Sequence, residues 1–248
     1  MLSVLFATIG FLAAIIINVL ADDLPARERP ARPRCVHCGR AYRLAEWSAL
    51  ARRLVGGGRC AQCDLATRPR ALLVEIVTPL MFAALPLLIG RPADLIFAAL
   101  YVAILILIIV IDIEHRLILH VVTLPSTLLA LVGSFFISSN APLYAVAGAA
   151  FGFAAFFFLY WLGRRLFGPG ALGFGDVTLS MTMGAMLGFP YIVFALVIGV
   201  LLGGLISLAL IVTGRLTLRS SVAYGPFLAM AGIITVLWGE QILKWYIS

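Results

Sequence analysis

Two acidic residues in apolar surroundings are the candidates for proton chemistry. Asp112 follows an apolar run from Ile104 to Ile111, and Asp176 ends the sequence Gly173-Phe174-Gly175-Asp176 before another apolar segment. Ionisable side chains at such positions in a membrane span are functional by default. Two close carboxylates share a proton, so that one activates water while the other polarises a scissile carbonyl. The pair therefore predicts an aspartyl protease with Asp112 and Asp176 as its catalytic residues.

Each acid also has a structural interpretation. Asp176 lies where a helix should begin, and Asp is a good N-cap. Glu114, in the polar turn that follows Asp112, is expected to be solvated rather than catalytic. Asp176 should begin a helix, whose positive end favours a carboxylate, and Asp112 should end a helix, whose negative end favours the neutral acid. We therefore predict that the shared proton rests on Asp112 and that Asp176 is the base. Two other functions stay open, a non-enzymatic membrane scaffold and a proton-coupled transporter, although acids at one membrane face suit a transporter poorly.

Four cysteines form a second set of candidate site residues. They lie in two CxxC pairs, Cys35-Val36-His37-Cys38 and Cys60-Ala61-Gln62-Cys63. Paired knuckles of this kind place four thiolates around one tetrahedral Zn²⁺, and Gly56-Gly57-Gly58 supplies a turn between them. Two disulfides or a redox pair are the alternatives, but structural disulfides rarely persist in a reducing cytoplasm. We expect structural zinc bound by Cys35, Cys38, Cys60 and Cys63.

The elements that position these residues must lie in a membrane. The chain is 63% hydrophobic and 12% charged, with a mean hydropathy of +1.11, which excludes a water-soluble globule. The fold class is predicted to be all-α, a polytopic transmembrane bundle with a small zinc-knuckle loop domain. A short sixth segment leaves seven spans and a re-entrant piece as an alternative. The apolar segments predict about eight spans, at 2–20, 71–90, 94–112, 120–138, 141–163, 176–189, 190–212 and 222–243.

The basic residues predict the orientation of the spans. Eleven of the 18 Lys and Arg residues lie between Arg27 and Arg70, and Arg116, Arg164, Arg165, Arg215 and Arg219 fall on the same predicted side. Because basic loops are retained in the cytoplasm, the loop 21–70 is expected there. This basic loop contains few aromatic residues, so we expect it to face anionic lipid and not nucleic acid. The expected domains are a first span (1–20), a cytoplasmic zinc-knuckle domain (21–70) and a transmembrane peptidase core (71–248); no internal repeat is apparent.

Taken together, these motifs resemble the type IV prepilin peptidases, membrane aspartyl proteases of the GxGD group. Ile111-Asp112-Ile113-Glu114-His115 followed by Thr123-Leu124-Pro125 resembles the first catalytic segment of the family, and Gly173-Phe174-Gly175-Asp176 resembles the second. The N-terminal pattern is represented by Asn18-Val19, Leu24-Pro25, the paired knuckles and Val74-Glu75. The chain departs from the family at Asp23, Arg70-Ala71-Leu72, Leu119-His120 and Thr178.

The resemblance implies an enzyme of the bacterial inner membrane. Its reaction would be cleavage of the leader of a type IV prepilin, or of a type II secretion pseudopilin, at the cytoplasmic face. Bifunctional relatives then N-methylate the new terminus with S-adenosylmethionine. The sequence shows no recognisable fingerprint for that cofactor, so methyl transfer rests on the resemblance alone. The expected partners are the prepilin or pseudopilin and the lipid bilayer, with no nucleic acid.

Overall fold

The computed structural model describes residues 1–28, 30–55, 57–168, 172–214 and 224–247; Gly56, Arg215 and Arg219 lie outside the described residues. Within these ranges all regular structure is helical and no strand occurs, which confirms the all-α prediction. The helices are α1 (Leu2–Asp23), α2 (Ala49–Val55), α3 (Pro69–Leu88), α4 (Pro92–His115), α5 (His120–Gly133), α6 (Pro142–Phe167), α7 (Phe174–Leu187), α8 (Tyr191–Val212) and α9 (Gly225–Ile247), with a 3₁₀ turn at Leu44–Glu46.

Six of the described helices, α1, α3, α4, α6, α8 and α9, are long and apolar enough to cross a membrane. The chain is therefore an integral membrane protein. Helices α5 and α7 correspond to the predicted segments 120–138 and 176–189, but each has only 14 residues. At 1.5 Å per residue each is about 21 Å long, less than the ~30 Å hydrocarbon thickness.

The described contacts divide the chain into two compact units, Met1–Leu88 and Ile89–Ser248. In the first unit α1 packs against α3. A Cβ at Gly10 would lie 2.7 Å from the Cβ of Phe82, so only glycine allows this approach. Small residues commonly bring membrane helices together in this way. The predicted division at residues 20 and 70 stays a prediction.

Helices α4 and α7 are the most enclosed elements of the second unit. Half of the 24 residues of α4 and 11 of the 14 residues of α7 are buried. Helix α7 packs against α5, α6, α8 and α9, and α4 packs against α5 and α9. The two helices that carry the candidate catalytic acids are thus shielded by the rest of the unit.

The contact between α6 and α7 depends on residues without large side chains. A Cβ at Gly148 would overlap the carbonyl oxygen of Gly184, and a Cβ at Gly152 would overlap that of Ser180. Both pairs are spaced by four residues, which is the small-xxx-small pattern of close membrane helices. The Ser180 hydroxyl donates to the carbonyl of Gly152 at 2.9 Å. This contact fixes the position of α7 and of the acid near its N-terminus.

Candidate active site and metal site

Asp112 lies in the last turn of α4, with 4% of its surface exposed. The helix ends at Arg116, which adopts left-handed angles (φ 52°, ψ 41°) and donates its N–H to the Asp112 carbonyl at 2.9 Å. The N–H of Gly225, the first residue of α9, donates to the Asp112 carboxylate. A Cβ at Gly225 would lie 2.5 Å from Oδ2 of Asp112, so this position requires glycine.

Asp176 is the third residue of α7 and is 7% exposed. Its Oδ2 accepts the N–H of Gly173 at 3.2 Å, and its own N–H donates to the Gly173 carbonyl at 3.1 Å. This reciprocal pair is a helix cap in which the acid lies inside the helix and reaches back. The capping interpretation of Asp176 therefore describes one of its contacts, although the residue is not the N-cap itself.

The two acids lie near one another. Their carboxylates are close enough to interact electrostatically. The loop residue Ile118 connects their surroundings: a Cβ at Gly175 would lie 2.7 Å from Cβ of Ile118, and one at Gly225 would lie 2.9 Å from its Cδ1. Ile118 thus packs against the N-termini of both α7 and α9. Sequence reasoning missed Ile118 and Gly225, because neither belongs to a recognisable motif.

The geometry bears on two expectations, the solvation of Glu114 and the location of the shared proton. Glu114 is exposed and is the last residue but one of α4. The location of the shared proton on Asp112 stays a prediction. Asp112 lies in the last turn of α4 and also accepts a backbone N–H from the start of α9, so both acids contact a helix N-terminus.

Hydroxyl groups connect α5 to α7 beside the acids. Thr178, one of the positions at which the sequence departs from the family it resembles, is 5% exposed and donates to the Gly175 carbonyl at 2.9 Å. The Thr123 hydroxyl donates to the Thr178 hydroxyl at 3.4 Å, and the hydroxyls of Thr127 and Thr182 are 2.9 Å apart. This departure from the family pattern therefore belongs to a row of hydroxyl contacts that positions the start of α7.

The four cysteines meet at one point of the first unit. Their Sγ atoms all lie within 4.8 Å of one another. The Cys35–Cys63 and Cys38–Cys60 sulfurs are each 3.7 Å apart. Tetrahedral zinc with Zn–S bonds of ~2.3 Å requires sulfur separations of about 3.8 Å, whereas a disulfide bond measures about 2.05 Å. The donor set fits zinc and does not fit disulfides.

The two knuckles have the same local structure. The N–H of Cys35 donates to the carbonyl of Arg40 at 2.9 Å, and the N–H of Cys60 donates to that of Leu65 at 3.0 Å. The residue after each second cysteine has a positive φ, +73° at Gly39 and +55° at Asp64. The expectation of no internal repeat was wrong, because Arg-Cys-x-x-Cys-x-x-Ala occurs at 34–41 and again at 59–66. Four shared residues in eight are a weak signal without the structure.

Backbone donors in the second knuckle favour the metal-binding form of its thiol. The N–H groups of Gln62 and Cys63 point at the Cys60 sulfur and lower the pKa of Cys60 to about 6. Zinc binds the thiolate and not the thiol. This effect is confined to Cys60, because the pKa of Cys63 in the same knuckle is raised to about 12.

Glu75 of α3 closes the N-terminus of α2. Its carboxylate, 2% exposed, accepts the Ser48 hydroxyl at 2.7 Å and the N–H groups of Ala49 and Leu50 at 2.7 and 2.8 Å. A carboxylate at a helix N-terminus is stabilised by the free N–H groups and the helix dipole. In the sequence, Glu75 was noticed only as part of the family resemblance.

Asp23, another departure from the family pattern, also has a structural role. Its carboxylate accepts the N–H of Ala31 at 2.9 Å and pairs with Arg34 at 3.0 Å. Asp23 itself is 5% exposed. It therefore anchors the segment that enters the first knuckle to the end of α1.

Comparison with known proteins agrees with this arrangement. Residues 8–89 match the profile of the bacterial peptidase A24 N-terminal domain, and residues 99–208 match that of the type IV leader peptidase family. No solved structure matches.

The chain is similar to three proteins named prepilin leader peptidase/N-methyltransferase. The protein from Aeromonas hydrophila is 30% identical over 92% of this chain and 78% of its own length. Those from Legionella pneumophila and Dichelobacter nodosus are 30% and 32% identical, over 86% and 84% of this chain and 75% and 72% of their own lengths. Since this identity extends over most of both chains, the protein belongs to the type IV leader peptidase family.

Proposed function

We propose that this protein is a membrane aspartyl endopeptidase that removes the leader of a type IV prepilin or pseudopilin, with Asp112 and Asp176 as the catalytic pair. The observation that carries the proposal is the pair of buried carboxylates that interact electrostatically. Each is held by a backbone N–H from a helix start. Burial of two neighbouring ionised acids is costly, and sharing one proton removes one of the two charges. That shared proton is what peptide hydrolysis requires.

The chemistry follows from one protonated and one ionised carboxyl group. The ionised group removes a proton from water as the water oxygen attacks the scissile carbonyl carbon. The protonated group gives its proton to the carbonyl oxygen, and a tetrahedral diol forms. The C–N bond then breaks as a proton passes to the leaving nitrogen, and the two carboxyl groups return to a single shared proton. The hydrogen bonds from Gly173 and Gly225 keep both groups in place throughout.

The reaction is assigned to the cytoplasmic face of the bacterial inner membrane. Sixteen basic residues lie on the predicted side that carries loop 21–70, against two on the other. In the predicted topology the ends of spans 3 and 6 that carry the acids also face this side. The leader would thus be cut at the cytoplasmic face, just before the hydrophobic helix in the substrate sequence.

A second activity, N-methylation of the new terminus, is supported by the names of the relatives.

The zinc ion would have a structural role in the first unit, where Cys35, Cys38, Cys60 and Cys63 would bind it. A zinc-bound cluster supplies the cross-link that a loop region with little apolar sequence needs.

The test is to incubate the purified protein with a prepilin and S-adenosylmethionine and to determine the product mass and N-terminal residue. We expect loss of the leader and, for the methylated product, a further gain of one methyl group, about 14 Da. An intact prepilin after incubation with folded, zinc-containing protein would refute the peptidase assignment. A cleaved product without added mass would refute the methyltransferase activity alone.

A further inference from the structure

We propose that α2 is an interfacial helix whose exposed tip inserts into the anionic leaflet at which α3 begins. Helix α2 (Ala49–Val55) belongs to the loop region of the first unit. Its last two residues form the tip and are apolar, and Leu54 is 78% and Val55 90% exposed. Single exposed apolar side chains are common on protein surfaces. What covers this tip is therefore decided by where α2 lies relative to the membrane.

The start of α2 lies beside the second turn of α3. Glu75 of α3 accepts the N–H groups of Ala49 and Leu50 at 2.7 and 2.8 Å. Helix α3 is a candidate membrane span, and its 20 residues measure about 30 Å, which equals the thickness of the hydrocarbon layer. Glu75 is six residues after Pro69, the first residue of α3, or about 9 Å along the helix axis. The start of α2 therefore lies about 9 Å inside the level at which α3 begins.

The chain after α2 returns to a level just outside the start of α3. The N–H of Gly58 donates to the Arg52 carbonyl at 2.9 Å, and the N–H of Thr67 donates to the Gly58 carbonyl at 2.7 Å. Thr67 is two residues before Pro69. Helix α2 is about 10 Å long, so it covers the distance between the two levels. It is thus held at both ends against the part of α3 that crosses the membrane surface.

The donors at the start of α2 are paired, as a position below the lipid headgroups requires. A backbone N–H without a partner costs several kcal/mol in hydrocarbon. Besides the two N–H groups that Glu75 accepts, the Ala51 N–H donates to the Ser48 hydroxyl at 3.1 Å. That hydroxyl in turn donates to Glu75 at 2.7 Å. The first turn of α2 can therefore lie at this depth with these donors satisfied.

The surroundings of the tip fit an anionic lipid surface. Leu73 and Ile76 of α3 are exposed on either side of Glu75, so the span presents apolar side chains to lipid at the level where α2 starts. Segment 43–55 contains three arginines and one glutamate, and Arg53, next to the tip, is exposed. Arginine stems lie along apolar surface while their guanidinium groups reach lipid phosphates. Apolar residues followed by arginine in this way are typical of helices that lie in the membrane interface.

The test places a photoreactive leucine analogue at position 54 of the full-length, zinc-containing protein in nanodiscs of phosphatidylcholine and phosphatidylglycerol. Light releases N₂ from its diazirine ring, and the carbene that remains inserts into a neighbouring C–H or O–H bond. Mass spectrometry then identifies the group that touches the tip. We expect adducts with the mass of a phospholipid.

The matched control carries the analogue at position 36. Val36 of the first knuckle is also exposed, but its segment is held at the end of α1, where Asp23 accepts the Ala31 N–H at 2.9 Å. This segment is not held along the side of a span, so position 36 should give mainly water adducts.

A second measurement uses a phospholipid that carries a diazirine in its upper acyl chain. Label in segment 49–55 should fall about tenfold in the double variant Leu54→Gln with Val55→Gln, because the tip loses its apolar side chains. Label in α3 should stay unchanged, and Val36→Gln should alter neither yield. Replacement of phosphatidylglycerol by phosphatidylcholine should lower the label in segment 49–55 about fivefold, because Arg53 then loses its anionic partner.

Zinc content and thermal unfolding identify variants that fail to fold. Adducts of position 54 with water, or with a peptide from a second copy of this chain, would overturn the proposal, and so would equal phospholipid yields at positions 54 and 36. Unchanged labelling of segment 49–55 in the double variant would also overturn it, and a yield independent of phosphatidylglycerol would refute the preference for an anionic leaflet. Leader cleavage enters none of these measurements, so their outcome is independent of the peptidase assignment.

Discussion

The substitution Gly225→Ala tests how closely α9 approaches the catalytic acid. A Cβ at this position would lie 2.5 Å from Oδ2 of Asp112, whereas ordinary contact begins at 3.4 Å. The carboxylate or the helix must then move by the difference, 3.4 − 2.5, or about 0.9 Å. A misplacement of 1 Å at a reacting group costs about 100-fold in rate. We therefore expect the kcat of leader cleavage to fall by about two orders of magnitude, with little change in KM.

The control for this variant is Gly204→Ala, because a Cβ at Gly204 of α8 meets nothing within 4 Å. Alanine also favours a helix more than glycine does, so neither change should destabilise its helix. Kinetics with a purified prepilin in detergent, together with thermal unfolding, separate a local displacement from misfolding. Full activity of Gly225→Ala would show that α9 does not hold Asp112 as described. A parallel loss in Gly204→Ala would show that the effect is not local.

Three further predictions concern the first unit. Metal analysis should find one zinc per chain. Cys60→Ser should release the zinc, because the cluster then loses one of its four thiolate ligands. A protein without zinc and without free thiols would contradict this prediction. Glu75→Gln should destabilise the unit by about 2 kcal/mol, because an amide cannot accept all three hydrogen bonds of the carboxylate; thermal unfolding with a zinc-release readout measures this, and an unchanged midpoint would refute the capping role. Gly39→Ala should accelerate zinc loss to a chelator, because the left-handed backbone at position 39 costs an alanine about 1 kcal/mol. Asp64→Gly, at the equivalent position of the second knuckle, should leave the rate of zinc loss unchanged or slow it. Equal acceleration by both changes would contradict the equivalence of the two knuckles.

The sequence predicted the residues whose chemistry is visible locally. Acids in apolar segments and paired CxxC motifs are conspicuous, and the structure places Asp112 near Asp176 and the four cysteines around one point. Contacts between distant segments were not predictable. Gly225 lies 113 positions after Asp112, and nothing in its neighbourhood indicates that its N–H meets a carboxylate.

The same limit explains the other differences. The interaction of Glu75 with the start of α2 joins residues 25 to 27 positions apart, and no single-residue propensity indicates it. The predicted protonation of each aspartate depended only on the helix that carries it, whereas the start of another helix, α9, also lies beside Asp112. Element type depended on apolar length and was predictable, whereas side-chain environment depended on packing and was not.

The catalytic pair is tested most directly by leader cleavage in Asp112→Asn and Asp176→Asn, each compared with Asp94→Asn. Asp94 is the matched control because it lies at the opposite end of α4, where its carboxylate accepts the N–H of Ser138 at 3.0 Å and the Ser138 hydroxyl at 2.9 Å. Asn keeps the size of the side chain but cannot act as an acid or base. We expect no detectable cleavage by either catalytic variant, with zinc content and unfolding temperature unchanged, and near-normal cleavage by Asp94→Asn. Substantial cleavage by Asp112→Asn or by Asp176→Asn would contradict the assignment of the pair.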